Sequence, residues 1–128
     1  MDDKIVYKEL SYAIVGILFE VYNQLGYGYK EKYYENGIEQ YLVTKKINYK
    51  RQAPYQIRIQ DKIICRQYID FIVDNKIIIE VKATPSFTPE DFRQCKRYLV
   101  SSNIELCLLV NFGTKVCNIK RVLNPKYR

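Results

Sequence analysis

Histidine is absent from this 128-residue sequence, and no two of its four cysteines form a C-x-x-C pair. The missing histidine excludes catalysis in which imidazole activates the nucleophile, including Ser-His-Asp triads and HNH-type nuclease chemistry. Scattered cysteines without a neighbouring histidine do not supply the ligands of a structural zinc site. We therefore expect buried, reduced thiols at Cys65, Cys95, Cys107 and Cys117.

Long apolar runs are lacking as well, although 48% of the residues are hydrophobic. Stretches such as Leu106 to Val110 are far shorter than the roughly 20 residues that a membrane-spanning helix needs. The first ten residues, MDDKIVYKEL, are polar and partly acidic, unlike a secretory signal. These features predict a cytoplasmic protein without a membrane span, folded as a single domain over residues 1–128.

The charges are unevenly divided, because 21 Lys and Arg residues stand against 14 Asp and Glu residues, for a net charge of +7. An excess of this size on a small domain favours a polyanionic partner, since contact with phosphates releases condensed counterions. The composition thus indicates nucleic acid as a partner. A solvated basic surface without any specific partner has the same composition, so the charge alone does not decide.

Apolar periodicity predicts two helices, three strands, a helix and two strands. From Tyr7 to Leu25 apolar residues recur at spacings of three and four, which is typical of an amphipathic helix. Two glycines end it, and a second helical pattern runs from about Lys30 to residue 45 or 46. The next three predicted elements are strands: one over residues 47–59, made of the runs 47–52 and 55–59, one over 63–73 and one over 76–83. They are followed by a helix opened by Thr88 and Pro89 that runs to about Ser101, and by strands over 105–111 and 115–122.

The predicted hairpin between the second and third strands brings two acidic residues together. A three-residue turn over 74–76 sets a register that pairs Asp70 with Glu80, whereas a two-residue turn would shift the pairing by one position. Cross-strand partners have Cβ atoms about 4.5 to 5.5 Å apart, and opposed like charges destabilise a sheet. A cation between the carboxylates would convert this repulsion into a binding site. Alternation along the strand also places Lys82 on the face of Glu80.

Strongly apolar neighbours make a compensating partner necessary for these acids, because an ionised group is costly to bury alone. Two kinds of partner meet this need. In a purely structural arrangement, Lys82 pairs with Glu80 or Asp70. In a functional one, the carboxylates bind Mg²⁺, a hard cation that accepts carboxylate oxygens, backbone oxygen and water. The three residues by themselves leave both interpretations open.

The segment from Asp70 to Lys82, with the pattern D-x9-E-V-K, resembles the PD-(D/E)xK nuclease motif. More closely, residues from about 10 to 122 resemble a bacterial family named for Gly-x-x-Glu-x-x-Tyr. That signature falls on Gly28, Glu31 and Tyr34. Other matching motifs occur in the same order, namely IEVKA, the Q-x-x-x-Y segment on Gln94 and Tyr98, and LLVNFG followed by Lys120 and Arg121.

The resemblance implies an α/β (α+β) restriction-endonuclease-like fold with an αβββαβ core, in which helices flank a central mixed sheet. It implies metal-dependent hydrolysis of phosphodiester bonds in DNA, with Mg²⁺ or Mn²⁺ as the cofactor. The implied metal ligands are Glu31, Asp70, Glu80 and the main-chain carbonyl of Val81. By the same resemblance, Lys82 would orient or help to deprotonate the attacking water. Gln94 and Tyr98 match a motif that lies beside the site in related recombination exonucleases.

Basic and aromatic side chains near these motifs are candidates for contact with nucleic acid. The basic candidates are Lys30 and Lys32 beside Glu31, and Arg93, Lys96 and Arg97 on the helix of Gln94. Four tyrosines at positions 27, 29, 33 and 34 could stack on unpaired bases, although amphipathic packing uses tyrosine too. Two alternatives to a DNA nuclease stay open: a nucleic-acid-binding module without turnover, and a branched-DNA (Holliday junction) resolvase, whose relatives act as homodimers.

Overall fold

The computed structural model describes residues 6–127. Residues 1–5, which belong to the predicted polar start, and residue 128 lie outside the described residues. The elements follow in the order α1 (Lys8–Leu25), α2 (Glu31–Thr44), β1 (Tyr49–Ile59), β2 (Lys62–Val73), β3 (Ile77–Lys82), α3 (Pro89–Ser102), β4 (Leu106–Asn111) and β5 (Asn118–Leu123). A short 3-10 turn, Pro125–Tyr127, comes last. Between residues 6 and 127, no helix has both the length and the hydrophobicity needed to cross a membrane.

The five strands form one mixed sheet in the order β1-β2-β3-β4-β5. Neighbouring strands are antiparallel except for β3 and β4, which are parallel because α3 carries the chain back between them. These two central strands are buried on both faces, which explains their continuous apolar sequence. The predicted fold class, a mixed sheet flanked by helices with an αβββαβ core, is confirmed.

Helices cover both faces of the sheet and divide the core into two layers. On one face, α1 and α2 pack over strand side chains that include Phe71 and Ile79. On the other face, α3 packs with Tyr98 and Leu99 against Leu109 and its neighbours. The centre of the predicted apolar stripe of α1 is buried at Ile14, Ile17, Leu18 and Val21, whereas Ala13, also predicted on this stripe, is exposed.

The first strand is a single element, as predicted, and runs from Tyr49 to Ile59. It begins two residues later than residue 47, where the sequence placed its start. Pro54 lies within this strand, but β1 is an edge strand of the sheet, where a missing N–H is tolerated. Smaller corrections are that α2 ends at Thr44 and that β5 begins at Asn118 rather than near residue 115.

Strands β1 and β2 change faces of the sheet at Gln52 and Asp70. Ile69 packs with α3, whereas Phe71, two residues later, packs with α1 and α2. In an unbroken strand, residues two apart share a face. The register of β1 and β2 is the same on both sides of this point, but Gln52 and Asp70 are not themselves a ladder pair. Gln52 has φ 54°, in the left-handed region, which accommodates the break.

Candidate functional site

The hairpin between β2 and β3 has the register that the sequence predicted. Val73 pairs with Ile77, and regular pairing continues for two further residue pairs. The structure differs from the prediction in one respect, because the ladder ends before Asp70 and Glu80. Asp70 and Glu80 are instead connected by hydrogen bonds from the backbone to their side chains.

Two side-chain-to-backbone hydrogen bonds connect Asp70 with the strand of Glu80. The N–H of Asp70 donates to Glu80 Oε1 at 2.9 Å, and the N–H of Val81 donates to Asp70 Oδ2 at 2.8 Å. Each carboxylate therefore takes the place of a carbonyl that would have continued the ladder. The backbone binds one carboxylate oxygen of each acid. This fixes the direction in which the second oxygen of the same carboxylate points.

Burial makes both acids hard to ionise. The pKa of Asp70 is raised to about 6, mainly by desolvation and also by the nearby charges of Glu35 and Glu31, while the hydrogen bond from the Val81 N–H lowers it. The pKa of Glu80 lies well above its ordinary value, first because the side chain is buried and second because Asp70 repels its charge. Negative charge placed here lacks full compensation, which is the condition that a bound cation relieves.

Glu31 is the first residue of α2, where the helix dipole favours a carboxylate. Its pKa is raised by burial and lowered by the charge of Lys82 and by a hydrogen bond from the Ala83 backbone. The carboxylate therefore lies at the end of β3, beside the residues that follow Glu80. The chain reaches this position through a loop in which Gly28 has φ 111°, a conformation that favours glycine.

Lys82 points from β3 toward α3. Its Nζ lies 3.4 Å from Gln94 Oε1 and 3.8 Å from Asp91 Oδ1. Among the described residues, no ion pair within 4 Å joins Lys82 to Asp70 or Glu80, so the simple structural bridge that the sequence left open is not formed. The ammonium is nevertheless near enough to lower the pKa of both acids.

The N-terminus of α3 supplies the partner of Lys82 through a capping box. Thr88 Oγ accepts from the N–H of Asp91, and Asp91 Oδ2 accepts from the N–H of Thr88 at 2.9 Å. The cap therefore fixes the carboxylate that contacts Lys82. The sequence predicted this cap, but it did not predict that Asp91 would face the site.

Gln94 and Tyr98 both lie on the side of α3 that faces the sheet. Gln94 contacts Lys82, as described above. Tyr98 is only 2% exposed and packs edge-on against Tyr55, with ring centroids 4.8 Å apart. Its hydroxyl donates to Gln67 at 3.1 Å. Burial and the charges of the nearby acids raise the pKa of Tyr98, so its position is that of a core residue bordering the site.

The predicted basic contacts lie outside the carboxylate cluster. Lys30 and Lys32 are exposed on either side of Glu31. Arg93 and Arg97 form ion pairs with Glu90 at 2.9 and 2.6 Å on the solvent side of α3, and Lys96 is exposed beside them. These side chains are accessible to a large polyanion but do not contact the two buried acids.

Sequence reasoning missed Glu35 and Gln52. Glu35 is 7% exposed and lies one turn after Glu31 on α2. Gln52 Nε2 donates to Glu35 Oε1 at 2.9 Å and to Asp70 Oδ1 at 3.4 Å, so one amide group connects the two acids. The spacing of four between Glu31 and Glu35 was a usable signal, because such residues share a helix face. No local signal marked Gln52.

Asn111 was also missed, although it holds the chain just beyond Lys82. Its Oδ1 accepts from the N–H groups of Thr84 and Gly113 at 3.0 and 2.9 Å, and its Nδ2 donates to the Thr84 carbonyl at 2.9 Å. Gly113 approaches Thr84 so closely that an added Cβ would collide with its backbone. The end of β3 is thereby fastened to the end of β4.

The residues suit a hard divalent cation. Glu31, Asp70, Glu80 and the Val81 carbonyl offer only oxygen donors, which Mg²⁺ prefers, and the raised pKa values of the acids indicate uncompensated negative charge. Within residues 6–127, no three His, Cys, Asp or Glu side chains stand close enough to form a complete metal cage. The structure brings Asp70 and Glu80 into contact and leaves Glu31 at the edge of the pair.

Comparison with known proteins identifies the superfamily and the fold of the chain. The family model described as the PD-(D/E)XK nuclease superfamily matches residues 8–122. Among solved structures, the crystal structure of SSO0001 is similar with a TM-score of 0.55 and 20% identity, over 71% of this chain and 48% of that chain. This chain thus spans about half the length of that protein, and the likeness shows the fold alone. A search of curated proteins found no match. Because the family match extends from α1 into β5, the chain belongs to the PD-(D/E)XK nuclease superfamily.

Proposed function

We propose that this chain is a divalent-metal-dependent nuclease that hydrolyses phosphodiester bonds in DNA. One observation carries the proposal: partly buried Asp70 and buried Glu80 lie side by side, each side chain accepts a hydrogen bond from the other acid's strand, and the pKa of both acids is raised. Lys82 stands beside this pair without an ion pair to either acid. Such a site combines a place for a hard cation with a cationic group, held by Gln94 and Asp91, for the reacting phosphate or water.

In this proposal Glu31, Asp70, Glu80 and the Val81 carbonyl hold Mg²⁺ or Mn²⁺. The ion, when bound, polarises the phosphate and lowers the pKa of a coordinated water. Lys82 orients the attacking water and helps to remove its proton. Its own position depends on α3.

Two residues of α3 hold the amine of Lys82 beside the carboxylate pair. Gln94 accepts a hydrogen bond from it, and Asp91 balances its charge. Tyr98 borders the site as a buried core residue.

Contacts with the DNA backbone would come from exposed lysines and arginines. Lys30 and Lys32 flank Glu31, and Arg93, Lys96 and Arg97 line the solvent side of α3. Phosphates of the substrate would replace Glu90 as the ion-pair partner of Arg93 and Arg97. Each such contact releases counterions, so binding should weaken steeply with salt.

We also infer that the chain is a member of the group named for Gly-x-x-Glu-x-x-Tyr, acting as a single cytoplasmic domain over residues 1–128. The signature residues have a structural reason to occur together. Buried Tyr34 donates to the Gly26 carbonyl at 2.6 Å and accepts from the Tyr29 N–H at 3.2 Å, which holds the loop that carries Gly28 and leads into Glu31.

A cleavage assay tests the proposed function. Purified protein is incubated with single-stranded, duplex and branched DNA in Mg²⁺, Mn²⁺ or EDTA. We expect cleavage only with metal, and its loss in Asp70→Asn. Asp74→Asn is the matched control, because Asp74 lies in the adjacent turn and pairs with exposed Lys76. Activity that survives in Asp70→Asn would assign the cleavage to a contaminant or to another site.

A non-catalytic nucleic-acid-binding module is the second candidate. The observation in its favour is that the backbone already satisfies one oxygen of Asp70 and one of Glu80, while Lys82 is paired with Asp91. This candidate predicts no rise in melting temperature with Mn²⁺, whereas a metal site stabilises the fold by mass action. A preference for four-way junctions, together with a homodimer in sedimentation, would instead narrow the function to branched-DNA resolution.

A further inference from the structure

Exposed tyrosines surround the start of α2. Tyr27, Tyr29 and Tyr33 are 53%, 49% and 55% exposed, although all lie within one short segment. Large aromatic rings in contact with water, grouped in one place, mark a surface that binds something. The core does not require these rings, because Tyr34 fills the apolar position of this segment.

The loop that presents the rings is fixed to the core. The ring of Tyr34 stacks on Phe112 with centroids 4.4 Å apart and planes 1° apart, and its hydroxyl holds the backbone at Gly26 and Tyr29. The Tyr29 ring in turn packs edge-on against Tyr33 at 5.8 Å. The rings of Tyr29 and Tyr33 are therefore in contact with each other, and Tyr29 with Tyr34, before any ligand arrives, which lowers the entropy cost of binding.

Charge identifies the kind of ligand. Lys30 and Lys32 lie between Tyr29 and Tyr33 in the sequence and are exposed. A surface that combines flat rings with ammonium groups suits a single-stranded nucleic acid, whose bases stack on the rings while its phosphates meet the lysines. A duplex hides the faces of its bases, so only unpaired bases can use the rings.

We propose that Tyr27, Tyr29 and Tyr33, together with Lys30 and Lys32, form a binding site for unpaired bases beside the carboxylate pair. The proposal deepens the proposed nuclease function and rests on it for the role of the bound strand as substrate. The chain passes directly from this surface into Glu31, so a strand stacked here lies next to the acids. The preferred substrate would then be single-stranded or have frayed ends.

Fluorescence anisotropy in EDTA tests binding without hydrolysis. The probes are a short labelled single-stranded DNA of mixed sequence, its duplex, and the RNA of the same sequence. We expect the double variant Tyr29→Leu/Tyr33→Leu to bind the single strand about tenfold more weakly, with little change for the duplex. The Phe double variant at the same positions keeps the rings and should bind as wild type. Tyr12→Leu is the control, since Tyr12 is a 54% exposed tyrosine on α1.

The contribution of Lys30 and Lys32 is measured separately, by the salt dependence of binding. In Lys30→Gln/Lys32→Gln, the salt dependence of single-strand binding should become shallower, by roughly 0.7 per lost phosphate contact. The DNA and RNA probes show whether the sugar matters to the same surface. Thermal unfolding followed by circular dichroism verifies that each variant is folded.

Three results would overturn this proposal: unchanged single-strand binding in the Leu double variant, equal losses for single strand and duplex, or a dimer that the Leu substitutions dissociate without altering oligonucleotide binding. Failure of the nuclease proposal looks different. It would show as absent cleavage in Mg²⁺ or Mn²⁺ while ring-dependent binding of single strands persists in EDTA.

Discussion

The N–H of Asp70 donates a hydrogen bond to Glu80 Oε1 at 2.9 Å, so the backbone of one acid holds the side chain of the other. Val81 returns a similar bond to Asp70. Because both carboxylates are anchored, neither can turn away from the other toward water. Their repulsion is relieved only by a proton or a cation, and this determines how the protein responds to pH and to metal.

In mild acid, Asp70 makes the metal-free protein more stable than it is at neutral pH. Burial raises the pKa of Asp70 from 3.8 to about 6, so the folded state binds this proton more tightly than the unfolded state. The stability that this proton contributes is complete below the unfolded pKa and is lost as pH rises through about 6. In EDTA, we expect the free energy of unfolding of wild type to fall relative to Asp70→Asn by up to about 3 kcal/mol between about pH 4 and pH 7. Urea titrations measure this difference, and parallel pH curves would refute it.

Glu80→Gln should separate activity from stability. The amide keeps an oxygen acceptor for the Asp70 N–H but removes a buried negative charge, so the metal-free protein should be as stable as wild type or more stable at pH 8. Cleavage should fall about a hundredfold or more, and the rise in melting temperature with Mn²⁺ should disappear. Glu9→Gln, at an exposed acid of α1, is the control. A destabilised but active Glu80→Gln would contradict the assignment.

Lys82→Met should lose turnover but keep metal binding. Removing a positioned acid–base group typically lowers the rate by about 10² to 10⁴-fold. The carboxylates that hold the metal are unchanged, so Mn²⁺ should still raise the melting temperature. Lys76→Met serves for comparison, because Lys76 is an exposed lysine in the same hairpin. If the Mn²⁺ effect vanished with Lys82, its role would be to organise the acids rather than to assist the reaction.

Gln52→Glu should destabilise the protein in a pH-dependent way. The native amide donates to both Glu35 and Asp70, and a carboxylate at the same place would accept where both neighbours also accept. At pH 8 we expect a loss of about 1 to 2 kcal/mol in the free energy of unfolding, most of it recovered near pH 5. Gln56→Glu, exposed on the same strand, should have little effect at either pH. Equal behaviour of the two variants would show that the contact to Asp70 contributes little.

Gly113→Ala should destabilise the end of β3. Its Cβ would collide with the backbone of Thr84, so the segment after Lys82 must shift, at a cost of about 1 to 3 kcal/mol. Cleavage should fall with it, because Lys82 and Glu80 precede this segment. Gly16→Ala is the control, because a Cβ added at Gly16 in α1 would meet no described atom within 4 Å beyond its chain neighbours and the backbone of its own helix. Alanine in a helix should raise the free energy of unfolding by roughly 0.5 to 1 kcal/mol. Thermal unfolding of both variants measures these changes in stability. An unchanged melting temperature in Gly113→Ala would refute the close approach of Gly113 to Thr84.

Local patterns in the sequence were sufficient for much of the fold. The stripe of α1, the capping box at Thr88, and the turn that sets the register between Val73 and Ile77 all depend on residues close together in the chain. Interactions of this range are encoded by spacing and residue type alone. For the same reason, the proximity of Asp70 and Glu80 followed from the hairpin.

Only the tertiary structure decided which more distant side chains join the pair. The change of faces at Gln52 and Asp70 depends on how two helical layers pack against one sheet, and no short pattern encodes that choice. This change lets Gln52 contact Glu35, 17 residues away. Likewise, the partner of Lys82 is Asp91 because α3 crosses the end of β3. The sequence by itself therefore determined the elements and the acidic pair, whereas long-range packing determined the surroundings that control their charge.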